Sequence, residues 1–377
     1  MSNTLVTSKA IAREALPVLE ANKVMAGLVH TDYKNDFKEK YNIVTVTKPA
    51  QFTAVEFDGD LTGEYQDVTQ GSVDISLGYI ASVDMKITSE QMTMEIAQFT
   101  EEITVPALEA ITQQIDANIL SLYKDIPYFY GTAGTTPDEL KDISQARKIL
   151  QGNKAPLSNR SLVIDEEAEA DLGILDAFIN QNYVGTTAGL TEAALGRKLG
   201  FNVFMDQNVP THTAGLYSAL ADVTITTGAA AATSIVLTST AGSSTATLLE
   251  GDLFTLDGGQ YVVTADTAAA SSGVVTVAIY PALAKAYGDM TAVTVAFADV
   301  SAKAHTANMA FQKNAFAFVN RPLMPASGQD SYTTNIKGIN IRVTMGYDFD
   351  TKSNIVSYDC LYGVKTLYPE LAAQLLG

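Results

Sequence analysis

The chain is poor in the residues that most often carry chemistry. Its 377 residues include one cysteine, Cys360, and three histidines, His30, His212 and His305. One cysteine makes neither an internal disulfide nor a thiolate metal cage. The histidines stand in no H-x-x-H or H-E-x-x-H relation, so their spacing predicts no metal site. Positive charge is scarce as well: 24 Lys and Arg face 42 Asp and Glu, a formal net charge of −18. A surface that negative repels phosphate and argues against gripping nucleic acid by counterion release. No apolar run approaches the ~20 residues needed to span a bilayer. The start, Met1 to Thr7, has neither the cationic nor the apolar region of a signal peptide, so synthesis in the cytoplasm without export is the expectation.

What is present is ordinary globular material, 47% hydrophobic and 18% charged, long enough for two or three folding units. There is no G-x-G-x-x-G, Walker A, G-x-S-x-G or paired-cysteine signature, and no interleaving of basic and aromatic residues. No catalytic, cofactor-binding or metal-binding residue is therefore assigned, and the chain is not expected to be an enzyme. Cys360 falls on the apolar register of a strand and reads as a small buried hydrophobe. His212 and His305 flank a compositionally distinct segment; they could approach one another, but water-exposed junction residues are the expectation. The acidic run Asp165, Glu166, Glu167, Glu169 and Asp171 suits the first turn of a helix. Asp348, Asp350 and Asn354 resemble fragments of a calcium loop without its glycine and terminal glutamate, and a hairpin turn accounts for them equally well.

Local patterns predict a mixed α+β chain. Ser8 caps a helix carrying Ile11, Ala15, Val18 and Leu19, with a break at Pro17, and Asp32 to Lys40 is a charged connector. From Val73 to Ile87 every odd position is apolar, a period-2 pattern for one strand on the order of 50 Å long. Ile43–Thr47 and Phe52–Phe57 are its upstream partners, with 58–67 as turn. An isolated hairpin is marginal in water. It must lie on something, either a neighbouring subunit or, as a bent strand, two sheets of its own domain. Helices are expected over 104–124, 138–151 and 166–178, with a small one near 191–195. Strands are expected at Leu162–Ile164 and Asn202–Met205.

At about residue 213 the composition changes. As far as Ala304 the charged residues thin to Asp222, Glu250, Asp252, Asp257, Asp266, Lys285, Asp289, Asp299 and Lys303, while Ala, Thr, Gly, Ser and Val dominate. Short β runs at 234–238, 252–256, 260–265, 274–280 and 292–297 read as an all-β module inserted between two α/β segments. Ile339 to Asp348 and Val356 to Val364 then alternate as a hairpin, and the tail PELAAQLLG forms at most two helical turns.

Taken in order, the segments SKAIAREALPVLEANKVMAGLV, KPAQFTAVEFDGD, VPALEAITQQIDANILSLY and GDLFTLDGGQYVVT make the chain similar to the major capsid (coat) proteins of tailed bacteriophages. These have the Hong Kong 97-like fold, and the likeness is to the podovirus coat type with an insertion domain. The resemblance implies an N-terminal arm at 1–42, an E-loop hairpin at 43–88, and a P-domain with spine helix and first part of the A-domain at 89–210. An inserted β-barrel-like domain at 211–306 and a return segment at 307–377, completing the A- and P-domain sheets, would follow. It implies a structural protein that assembles with itself through hexamers and pentamers into an icosahedral head around double-stranded DNA, without sequence-specific binding and without a membrane. A scaffolding protein during assembly and a portal protein at one vertex are the further partners, in the host cytoplasm and then the virion. Some members cross-link through an E-loop lysine; Phe57 to Asp67 has none, so non-covalent shells are expected. A helix beginning almost at once suggests a separate scaffold and little processing. A secreted or surface β-rich binding protein, or a non-viral compartment shell of the same fold, stand as alternatives.

Overall fold

The computed structural model describes residues 24–31, 43–48, 54, 70–88, 104–179, 195–219, 223–239, 246–271, 273–287, 295–299, 304–336, 339–350 and 353–377. The chain divides into two units. The helix after Ser8 with its break at Pro17, the connector 32–40, the 52–57 strand, the 58–67 turn and the helix near 191–195 fall outside the described residues, Ala54 and Leu195 excepted.

One unit draws on Thr31–Ile111 and Ala317–Leu367. Its main sheet runs Phe316–Arg321, Ser353–Thr366, Ile339–Asp348 and Asp330–Ile336, with Tyr79–Thr88 also paired to Ser353–Thr366. The expected hairpin Ile339–Asp348/Ser353–Thr366 is there, antiparallel and in the register that buries Val343, Val356, Tyr358, Cys360 and Tyr362 on one face. The long 73–87 strand is corrected. It breaks at Leu77-Gly78 into Ser72–Ser76 and Tyr79–Thr88. The first piece pairs with Ile43–Thr47 and the second joins the five-stranded sheet along Tyr79 to Thr88. The ribbon is thus the bent strand shared between two sheets, and its second half finds shelter within its own unit. Periodicity is blind to this break, because two residues between the pieces preserve the parity of inward and outward positions.

The long helix is Val105–Leu120, closed by a 3-10 turn at Ser121–Asp125. Leu108, Ile111, Ile115 and Ile119 are buried at the expected three-and-four spacing. Just before it, the Thr104 hydroxyl lies 2.9 Å from the Tyr358 hydroxyl, both buried in the first unit.

The other unit comprises Asn22–His30, Thr112–Phe316 and Tyr368–Gly377. Its seven-stranded sheet runs Phe129–Tyr130, Ala372–Leu376, Ala304–Gln312, Arg160–Ile164, Phe201–Met205 and Arg197–Lys198, with Thr211–Thr213 paired to Ala304–Gln312. Helix Leu140–Gly152 begins where the Asp142 carboxylate accepts the Glu139 N–H at 3.1 Å, and it packs Ile143, Ala146 and Leu150 against Leu162, Ile164 and Leu375. Gly152 is its last residue and not the one past its end. Asp165 caps the next helix by accepting the Ala168 N–H at 3.2 Å, which accounts for the acidic run. The single helix expected over 166–178 is two, Glu166–Gly173 and Asp176–Ile179. The tail is also corrected. After a 3-10 turn at Pro369–Leu371, Ala372–Leu376 is a fully buried strand between Phe129–Tyr130 and Ala304–Gln312. Ala, Gln and Leu favour helix in isolation, but pairing on both edges overrides that weak preference.

Between Thr213 and Ala304 the same unit holds a second sheet. It runs Val295–Phe297, Leu253–Leu256, Gly259–Val263, Val274–Tyr280, Ser234–Ser239 and Val223–Thr227, and the end strands meet, so the sheet curls on itself. Val223–Thr227 is the strand that composition did not single out. The core inside is apolar, including Tyr217, Ile225, Leu237, Phe254, Val277 and Phe297. Asp257 and Gly258 turn the 253–263 hairpin with φ of 51° and 81°, the left-handed pair that a two-residue turn demands.

Candidate functional site

None of the residues weighed in the sequence forms a solvent-open reactive centre. Cys360 is buried on the apolar face, with the Asn320 amide donating to its sulfur at 2.8 Å; burial pushes its thiol up to about 12. Asp348 accepts the Asp350 N–H at 3.0 Å inside the hairpin turn. Among the described residues no group of three or more His, Cys, Asp or Glu side chains could hold a metal ion. Among them, too, no helix is long and apolar enough to cross a membrane.

The surprise is at the ends of the all-β segment. His212 and His305 are not water-exposed. They sit opposite each other in the antiparallel pair of Thr211–Thr213 with Ala304–Gln312, 4% and 1% exposed, with ring centroids 5.3 Å apart. The segment therefore leaves and re-enters the seven-stranded sheet at adjacent points. Each imidazole meets a carboxylate from the curled sheet: His212 Nε2 lies 2.9 Å from Asp252 Oδ1 and His305 Nδ1 lies 2.7 Å from Asp299 Oδ1.

Tyr123, from the 3-10 turn, completes the group with its hydroxyl 2.9 Å from His212 Nδ1. With the proton on Nε2, His212 donates to Asp252 and accepts from Tyr123. Burial, then the charges of Asp252, Glu250 and Asp299, push the Tyr123 phenol up to about 12, which keeps it a donor. Asp252 also receives the Leu249 N–H at 2.8 Å and the Gly215 N–H at 3.2 Å from each oxygen. A tyrosine–histidine–aspartate chain has the connectivity of a nucleophilic triad. Here all three members are at most 4% exposed, and the 380 Å³ cavity lined by Phe129, Thr135, Asp138, Gln260 and Leu376 does not reach them. The chain of bonds holds two sheets together.

Other bonds extend that seam. Gln260 donates to the Phe129 carbonyl at 2.7 Å and Tyr280 to Glu370 Oε1 at 2.6 Å, around a small apolar contact of Phe129, Leu253, Val262 and Leu376. The only sequence signal for this junction was the position of the two histidines; Tyr123, Asp252 and Asp299 carried none.

Residues 253–377 match the model of the family described as P22 coat protein, gene protein 5. No curated protein gives a significant match. Among solved structures, "Mycobacterium phage Che8" superposes with a TM-score of 0.54 at 16% identity, covering 94% of this chain and 90% of that one. "Capsid structure of the Cyanophage P-SCSP1u" follows with a TM-score of 0.48 at 13% identity over 92% and 85% of the two chains. "Asymmetric unit of bacteriophage PhiM1 mature capsid" gives 0.46 at 11% identity over 94% and 87%. The first of these establishes the fold, which is the α+β, Hong Kong 97-like fold that the sequence resemblance implied.

Proposed function

We propose that this chain is the major capsid protein of a tailed bacteriophage, a structural and non-enzymatic subunit located in the virion shell. The match of residues 253–377 to the P22 coat protein family carries the reading. That match spans four of the six strands of the curled sheet, the central strand Ala304–Gln312 and the closing hairpin. Charge is consistent with it: a container for DNA at high density works best with a lining that does not grip phosphate, and the chain carries −18.

In this reading subunits join head-to-tail into hexamers and pentamers, since heterologous contacts that close make rings. Those rings form an icosahedral head around double-stranded DNA, with a scaffolding protein during assembly in the host cytoplasm and a portal protein at one vertex. Residues 1–42 serve as arm, 43–88 as E-loop, 89–210 as P-domain with spine helix and first part of the A-domain, 211–306 as inserted domain, and 307–377 as return segment. Within the E-loop, Tyr79–Thr88 is taken up by its own sheet, which leaves the 43–47/72–76 pair to meet a neighbour.

Electron microscopy of the expressed chain, alone and with a candidate scaffold, tests this. Uniform polyhedral shells or tubes are expected; a monomer under every condition overturns the reading. Purified shells should run on denaturing gels as one monomer band, given the lysine-free 57–67 segment.

A further inference from the structure

In the second unit a short piece of the N-terminal region is bound at a buried carboxylate. Asp116, on the outgoing half of the long helix, is 1% exposed. Its Oδ2 accepts the Val24 N–H at 2.9 Å and its Oδ1 the Ala26 N–H at 3.1 Å. Met25, Ala26 and Val29 are buried with it, and the His30 N–H donates to the Phe316 carbonyl at 3.0 Å. The fastening is local: Asn22–His30 belongs to this unit, and the next segment, Thr31–Ile111, belongs to the other.

We propose that Asp116 is a pH-sensitive latch, holding the Val24–His30 segment more tightly in acid than at neutral pH. Two observations favour it. Among the described residues the carboxyl has no cation to balance its charge, and its partners are backbone N–H groups. The charge acting on it from the neighbouring loop is that of Asp206, of the same sign, whose own Oδ2 is buried with no hydrogen-bond partner among the described residues. His30 is the titratable side chain of the docked segment, and it lies at the end bound to Phe316.

Burial, reinforced by Asp206 and opposed by the N–H bonds of Val24, Ala26 and Met25, raises the Asp116 carboxyl from 3.8 to about 6. Releasing the segment admits water and returns the group toward its ordinary value. Protons therefore bind the docked state more strongly. Docking tightens as pH falls through about 6, levels off below 3.8, and weakens as pH rises. Between pH 7 and pH 5 those two values give about a tenfold change in the docking constant.

Hydrogen exchange of the full-length chain, with each amide corrected for its intrinsic rate at that pH, tests the latch. Protection of the 24–30 amides should rise about tenfold from pH 7 to pH 5, while that of Arg160–Ile164 stays constant. Asp116→Asn should abolish the pH dependence, whether its segment is tight or loose. Asp206→Asn should move the midpoint to lower pH, and it decides the matter if the Asp116 variant fails to fold. Equal protection at both pH values, a parallel change in 160–164, or an unmoved midpoint in Asp206→Asn overturns the proposal. The test does not depend on shell formation, so it stands or falls apart from the capsid reading.

Discussion

Removing the Asp252 carboxylate should loosen the curled sheet from the seven-stranded one at a cost that can be worked out bond by bond. The group is 1% exposed and satisfies two buried donors, His212 Nε2 at 2.9 Å and Gly215 N at 3.2 Å, and a part-buried one, Leu249 N at 2.8 Å. Asp252→Ala leaves all three without an acceptor, at about 1–3 kcal/mol each before relaxation. Partial rearrangement, and water reaching the part-buried Leu249 N–H, bring the sum to about 3–5 kcal/mol. That is a large share of the roughly 5–15 kcal/mol of a whole domain. Asp252→Asn keeps one acceptor oxygen and should lose about half as much. Glu250→Gln breaks the Lys124–Glu250 pair, 3.7 Å apart with both side chains at least 40% exposed, and should stay within about 0.5 kcal/mol of the parent. Urea titration followed by circular dichroism and tyrosine fluorescence reads all three, the chain having no tryptophan. An Asp252→Ala variant within 1 kcal/mol of the parent would refute the view that this junction is a buried, fully committed hydrogen-bond group.

Three further outcomes are expected. Gly363→Ala drives a Cβ into the Ser76 carbonyl oxygen, so it should destabilise the first unit by about 1–3 kcal/mol or more, seen as a lower urea midpoint. Tyr358→Phe strands the buried Thr104 hydroxyl and should cost about 1–2 kcal/mol in the same titration, whereas a neutral result would mean that the 2.9 Å contact contributes nothing. With its thiol raised to about 12 by burial, Cys360 should not react with a disulfide reagent at pH 8 in the folded chain and should give one equivalent in urea; rapid labelling of folded protein would contradict this.

The sequence by itself settled whatever depends on periodicity and composition. The spacing of Leu108, Ile111, Ile115 and Ile119 marked the long helix, alternation marked the 339–366 hairpin, and the loss of charge after Thr213 marked the all-β segment. Cys360 was legible as a core residue because its parity on the strand admits no other place. What the tertiary structure decided concerns pairing between distant segments. Alternation from Val73 to Ile87 is the same for one strand or two, and only the competing partners 43–47 and 353–362 divide it at Leu77-Gly78. AAQLL is helical by local preference and a strand because edges wait on both sides of it. His212 and His305 look like surface residues until the backbone brings Thr211–Thr213 beside Ala304–Gln312, and the carboxylates that justify burying them lie 40 and 6 residues away along the chain. Short-range order is written in neighbours. A buried polar contact requires two chain segments to agree, and that agreement exists only once the fold is closed.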